Sequence, residues 1–325
     1  MTLIKRLWTV AASAVFAFAV MSSDRATAQS IPESDDPIVL ALNDWTGQFL
    51  TTYIAGELLK KMGYNVEYVT VGATAQFEAI KDGELDAQLE VWTSSASEAY
   101  DEAVASGKAV SLGSLGLVPR EAWYYPSYIE DDCPGLPEWT ALNDCIDLFS
   151  SPDTYPSGRL VDYPPEWEAK TAEKISALQL DYVPVPSGGE GALVAEIESA
   201  FAREAPLLVV FWEPHWIFID HDMNYVHLPD YDPACETDPS WGPNPNATGD
   251  CERSNHPVYK LVWAGMEEKW PAAYRFLQSF ELTNAEQIVM IRDVDVDGQP
   301  IEEVVSRWIN DNEATWSTWM DSAQM

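Results

Sequence analysis

The sequence predicts an α/β fold, with central, mostly parallel sheets and helices on their faces. Three observations lead there. From residue 38 to 107 short apolar strands alternate with amphipathic helices in a β-α-β-α-β-α rhythm. The stretch from about 121 to 223 repeats that theme. A hydrophobic content of 46% in a chain of 325 residues is enough for one large or two medium domains.

Taken in order, "IVLALNDW" is a strand that stops at Asn43-Asp44-Trp45, and "GQFLTTYIAGELLKKMG" is an amphipathic helix ended by Gly63. "YNVEYVTV" alternates as a strand, and "TAQFEAIKDGE" is a short helix with a glycine turn. "LDAQLEVW" is a strand ending in Trp92, followed by the serine-capped helix "SASEAYDEAVASG". In the middle segment, "PEWEAKTAEKISALQL" (165–180) reads as one helix. Ser187-Gly188-Gly189-Glu190 reads as a capping box opening another, with exposed amides that a ligand could face. "PLLVVFW" is a buried strand. Residues 220–257 form a long irregular insert, of the kind that is often functional. The strand "VYKLVWAG" and helices over 266–280, 283–294 and 300–320 complete the chain.

The first residues bear on location. Lys5 and Arg6 precede an apolar stretch from Leu7 to Met21 and a small-x-small "ATA" at 26–28, the pattern of a signal peptide over residues 1–28 cleaved after Ala28. The stretch is shorter than the roughly 20 apolar residues of a spanning helix. Export to the periplasm is expected. Cys133, Cys145, Cys235 and Cys251 fall in two local pairs inside loops. Locality favours disulfides Cys133–Cys145 and Cys235–Cys251, although four cysteines allow three connectivities. A net charge of −35 repels nucleic acid and anionic lipid, and suits a cationic or zwitterionic ligand or plain solubility.

Trp45, Trp92 and Trp212 all sit at the carboxyl ends of predicted parallel strands, where open α/β sheets bind ligands. Trp123, in "EAWYYPSYI", lies where the chain would pass to its second half. Indole faces attract cations by roughly 0.5–2 kcal/mol each, and methylated ammonium suits a cage of them. Carboxylates flank the rings: Asp44 beside Trp45, Glu90 two before Trp92, and Glu213 after Trp212. The ligand-binding set is therefore Trp45, Trp92, Trp123, Trp212, Glu90 and Asp44, with Trp216 packing behind as core. Sugars also stack on tryptophan, but the strand ends offer few amides for hydroxyls beyond Asn43 and Gln48.

"DWTGQ", "DGELDAQLEVW", "SGGEGALV", "FWEPHW" and the tail "YRFLQSFELTNAEQ…VDVDGQPIEEVVSRWI" resemble, in order, the substrate-binding proteins of ABC importers for glycine betaine, proline betaine and choline. The resemblance spans about residues 37–319. It implies a type II periplasmic binding protein of two lobes, monomeric and without catalysis, that closes on a small ligand in the inter-lobe cleft and docks on a membrane permease. Lobe I would comprise 29–120 and 224–325, including the insert, and lobe II 121–223. It supports Trp45, Trp92 and Trp212 as cage walls, with Trp123 as a fourth. A betaine carboxylate needs donors, and the candidates are Arg120, His215 and the amides of 187–190. Their scarcity beside Asp44 and Glu90 favours trimethylamine N-oxide, of whose binding proteins this chain would be a branch, with choline and glycine betaine as alternatives.

No cofactor is expected. In the insert, Asp220, Asp222 and Asn224 alternate as oxygen ligands for a structural Ca²⁺ would, although Tyr225 stands where an EF-hand has glycine. No GxSxG, HExxH, Walker or GxGxxG element occurs. A sugar-binding protein or a glycan-acting enzyme are the remaining, more distant readings.

Overall fold

The computed structural model describes residues 31–324. The expected signal peptide lies outside the described residues. The strands are β1 (Ile38–Leu42), β2 (Val66–Thr70), β3 (Ala87–Trp92), β4 (Ala109–Ser114), β5 (Arg120–Pro126), β6 (Pro134–Pro137), β7 (Gly158–Asp162), β8 (Tyr182–Pro186), β9 (Val209–Glu213), β10 (Met223–Tyr225) and β11 (Val258–Trp263). Ten of them form two five-stranded sheets, ordered β2-β1-β3-β11-β4 and β8-β7-β9-β5-β10. The two orders are equivalent. In each sheet four strands run one way and one, β11 or β5, is reversed. The reversed strand is the first one laid down after the chain crosses between lobes, so it leads away from the cleft that the others approach.

Apolar runs build the central strands. Ile38, Leu40 and Ala41 of β1 and Val209, Val210 and Phe211 of β9 are fully buried, as expected for strands covered on both faces. In the first lobe the helix Thr46–Lys61 packs against helices Asn284–Asp295 and Ile301–Asp311, so the C-terminal tail closes the first lobe's core. The expected helix over 300–320 is two helices, Ile301–Asp311 and Glu313–Ala323, divided at Asn312.

The expected helix over 165–180 is also broken, with more consequence. Residues Pro165–Trp167 make one 3-10 turn, Glu168 and Lys170 take left-handed backbone (φ 51° and 52°), and the α-helix begins only at Thr171. The break releases Trp167 from a helix surface and turns it toward the first lobe.

Both expected disulfides, Cys133–Cys145 and Cys235–Cys251, are formed. The insert docks on the second lobe rather than the first. Lys174 Nζ donates to Gly249 O (3.0 Å) and Cys251 O, Asn244 Nδ2 donates to Ala177 O (2.8 Å), and Glu138 bridges His227. Residue 223, the expected return crossing, lies inside β10, which pairs with β5. We propose lobe boundaries drawn accordingly: 31–119 and 258–324 for the first lobe, 120–257 for the second.

Candidate functional site

The carboxyl ends of β1, β3, β7 and β9 converge on a cleft between the lobes. Trp45 and Trp92 line it from the first lobe, and Tyr163, Trp167 and Trp212 from the second, with Glu90 and Glu121 among the polar groups. The aromatic rings meet edge to face: Trp45–Trp167 at 5.5 Å between centroids, Trp167–Trp212 at 5.6 Å and Tyr163–Trp212 at 5.8 Å. Such contacts add to the area they bury. Phe211 stacks behind Trp212 at 4.3 Å.

Each ring has a local cause. Trp45 follows β1 on a loop fixed by buried amides: Asn43 Nδ2 donates to Val71 O (2.9 Å), and Gln88 Nε2 donates to Asn43 Oδ1 (2.6 Å). These amides pair groups that would be costly to bury alone, and so hold the loop in place. Trp92 ends β3. Both indoles donate Nε1–H to the same oxygen, Glu90 Oε1, at 2.8 and 3.1 Å, while Thr51 Oγ1 (2.7 Å) and Gln287 Nε2 (2.9 Å) donate to Oε2. Glu90 is 1% exposed, and burial pushes its carboxyl up despite four hydrogen bonds that favour the charge. It holds the rings by their edges and leaves the faces free.

The second lobe also reaches across. Trp167 Nε1 donates to Asp44 Oδ1 at 3.0 Å, Ser94 Oγ donates to the Glu121 carboxylate, Thr74 Oγ1 donates to Glu166 O at 3.1 Å, and Thr46 N donates to Glu190 Oε2 at 2.7 Å. The lobes are therefore closed on the cleft. Tyr163 keeps a buried hydroxyl with no partner, and burial, with the charge of Glu121 beside it, pushes that hydroxyl well above the usual tyrosine range.

Of the residues singled out from sequence, Trp45, Trp92, Trp212 and Glu90 come together at the cleft. Asp44 sits at its rim, bonded to Trp167 rather than lining it. Trp123 does not line it. β5 runs away from the cleft, starting with Arg120 opposite Glu213, so Glu121 stands at the cleft while Trp123 lies two residues, about 7 Å, deeper. It is 2% exposed and belongs to the core of the second lobe. Trp167, Tyr163 and Glu121 went unread. The first was hidden in a helical pattern, and the last had a signal in its position beside the predicted crossing.

The candidate donors for a ligand carboxylate are also elsewhere. Arg120 stacks on Tyr225 at 4.3 Å, and His215 faces Glu190. The capping box at 187–190 does not form. Gly189 is the cap, at φ 133° where glycine is favoured, and the Glu190 side chain turns to Thr46 instead. Trp216 is buried as expected, and its Nε1 donates to Asp295 Oδ2 at 3.1 Å.

The expected Ca²⁺ ligands do not converge. Asp220 pairs with Arg292 (2.5 Å), Asp222 accepts from Ser127 Oγ (2.7 Å), and Asn224 Nδ2 donates to Glu130 (2.6 Å). Their side chains follow a short helix and an edge strand, not a closed loop, so each finds its own neighbour. The buried acid of the insert is Asp250, whose Oδ2 accepts from Asn244 N and whose Oδ1 has no partner.

Two α/β lobes closed over an aromatic cleft define a solute-binding protein. The family model for the substrate-binding domain of ABC-type glycine betaine transport systems matches residues 36–311, and the chain belongs to that family. The chain is similar to the trimethylamine N-oxide-binding protein of Pelagibacter ubique (strain HTCC1062), 28% identical over 293 residues that cover 88% of this chain and 91% of that one. Its fold is similar to that of the glycine betaine/L-proline-binding protein ProX of Borrelia burgdorferi, with TM-score 0.70, 20% identity, and 87% of this chain and 96% of that chain covered. It is also similar to lactococcal OpuAC in its closed, glycine betaine-bound conformation, with TM-score 0.67, 18% identity, and 88% and 100% covered. The protein is thus a substrate-binding component of an ABC importer of the glycine betaine type.

Proposed function

We propose that the protein captures a small methylated amine between its lobes, with trimethylamine N-oxide the favoured guest, and presents it to a membrane permease after export to the periplasm. The observation that carries this is the chemistry of the cleft lining. Four indoles and a phenol ring wall it, Glu90, Glu121, Glu166 and Glu168 supply its charge, and no lysine, arginine or histidine is among the described lining residues. Indole faces stabilise methylated nitrogen by roughly 0.5–2 kcal/mol per ring and ask no hydrogen bonds of the methyl groups. A ligand carboxylate would meet four acids and no cation, which counts against glycine betaine. An N-oxide oxygen can share one proton with the Glu121 carboxylate in a charge-assisted hydrogen bond, with the unpartnered Tyr163 hydroxyl close to Glu121.

Choline is the second reading, because its hydroxyl could donate to Glu121 as well. The similarity to the Pelagibacter ubique protein favours the N-oxide. Intrinsic tryptophan fluorescence titrated with trimethylamine N-oxide, choline, glycine betaine and maltose separates these. The expected order of affinity is N-oxide, then choline, then glycine betaine, with no response to maltose. Tightest binding of glycine betaine would overturn the argument from lining charge, and a response to maltose alone would replace the amine with a sugar.

A further inference from the structure

Away from the cage, three titratable side chains meet where the lobes touch. Glu190 opens the helix Glu190–Arg203 and His215 follows β9, both on the second lobe, while Asp295 ends the first-lobe helix Asn284–Asp295. One ligand-capable atom of each lies within 4.8 Å of the others. His215 and Glu190 are almost wholly buried. Thr46 clamps the two acids together: its N–H donates to Glu190 Oε2 (2.7 Å) and its hydroxyl to Asp295 Oδ1 (2.7 Å). Trp216 Nε1 donates to Asp295 Oδ2 at 3.1 Å, so this bond too crosses between lobes.

One feature distinguishes the cluster from a metal site. His215 Nδ1 accepts the backbone N–H of Ile217 (3.2 Å), which leaves its proton on Nε2. A metal-binding imidazole does the opposite, donating from one nitrogen and ligating with the other. Both His215 Nε2 and Glu190 Oε1 are buried without a hydrogen-bond partner, 3.3 Å apart.

Apart from His215, the charged surroundings give the two acids no relief. On the helix Thr46–Lys61 the facing residue is Thr46, with Asp44 just before it, near Gly189. On the helix of Asp295, Arg292 one turn back is engaged by Asp220 at 2.5 Å, and Asp293 by Arg307. Glu213, near His215 in sequence, accepts from Tyr124. Among the described residues no lysine or arginine forms an ion pair with Glu190 or Asp295. Closing the cleft therefore brings the buried Glu190 carboxylate beside that of Asp295, and one shared proton removes their repulsion.

We propose that closure of the lobes takes up a proton at the Glu190–Asp295 pair, so that the closed state, and with it ligand capture, is favoured as pH falls. The coupling to capture rests on the proposed function; the coupling to closure does not. Burial and the neighbouring Glu190 charge push Asp295 up from its ordinary value, in keeping with the geometry. The sign follows by linkage. The pair holds its proton more tightly closed than open, so the advantage is full below the open-state carboxylate range and is lost as pH rises through the closed-state value.

The test uses the full mature chain carrying Val69→Cys and Val183→Cys, exposed positions on the two lobes, labelled with a donor and an acceptor dye. All four native cysteines are in disulfides. Without ligand, energy transfer should rise as pH is lowered from about 8 to about 5. In Asp295→Asn, and separately in Glu190→Gln, it should stay near one value across that range. In wild type the apparent affinity for trimethylamine N-oxide should be at least threefold tighter at the acid end, and the dependence should shrink in both variants. Transfer that is flat with pH in ligand-free wild type, or a pH dependence that persists in both variants, overturns the proposal. If no methylated amine alters transfer at any pH, the proposed function falls, while the ligand-free profile still decides the proton coupling.

Discussion

On the first lobe, Trp45 and Trp92 hang from one carboxylate oxygen, whereas on the second lobe Trp167, Trp212 and Tyr163 are held mainly by one another. Glu90 and its four donors lie wholly within the first lobe, so that wall is complete whether the lobes are open or closed. Trp167 instead meets Trp45 at 5.5 Å and bonds Asp44, both across the cleft, and it is finished only when the lobes close. One wall is preorganised and the other is assembled by closure. For a trap this division is useful: a ligand can settle on a rigid face, and the energy of completing the second face is then available to hold the lobes shut.

The largest effect is expected at Trp167. Trp167→Ala removes a ring that packs on Trp45, Tyr163 and Trp212 and the bond to Asp44 together. Calorimetry with trimethylamine N-oxide should show affinity weakened about 100-fold, or about 2.7 kcal/mol. Trp92→Ala, which removes one ring of the rigid wall, should cost about tenfold, or about 1.4 kcal/mol. Circular dichroism should show both variants folded. If Trp92→Ala were the more damaging, the closing wall would not be the one that sets affinity.

A smaller effect tests how the rigid wall is held. Glu90→Ala leaves two indole N–H groups, Thr51 and Gln287 without their acceptor in a buried site, and the rings lose their common anchor. Affinity should fall about tenfold, about 1.4 kcal/mol, with a lowered melting temperature. Glu90→Gln keeps an oxygen where Oε1 stands and should stay within about threefold of wild type, about 0.7 kcal/mol. A loss in Glu90→Gln as large as in Glu90→Ala would mean that the charge itself acts on the ligand.

The same contrast decides which parts of the site could be read from sequence. Trp45 and Trp92 close strands whose apolar runs are unmistakable, and Glu90 lies in register two residues before Trp92, so the rigid wall was visible. So was Trp212, for the same reason. The α/β class was visible too, since alternation of strand and helix is local information. Trp167 was not, because a local pattern of "PEWEAKTAEK" favours a helix and only tertiary packing enforces the left-handed turns at Glu168 and Lys170. Trp123 was misplaced because the reversal of β5 is a property of sheet topology, and a reversed strand exchanges its cleft end for its buried end. The Glu190 side chain was assigned to its own helix because its actual partner, Thr46, is 144 residues away.

The smallest effect lies at the rim, where the two walls meet. Asp44 Oδ1 accepts from Trp167 Nε1 at 3.0 Å and Asp44 is exposed, so the bond adds to closure without carrying it. A typical hydrogen bond contributes about 0.5–1.5 kcal/mol net, and solvent at the rim places this one at the low end. Asp44→Ala should therefore weaken trimethylamine N-oxide binding about threefold, and the loss should appear in the dissociation rate measured by stopped-flow tryptophan fluorescence. The reason is that encounter with the open cleft involves the first-lobe wall, which Asp44 does not support, while release requires Trp167 to leave its partner. Should Asp44→Ala slow association instead, Asp44 would be helping to draw in the ligand's positive nitrogen, and the rim would belong to the preorganised wall rather than to the closing one.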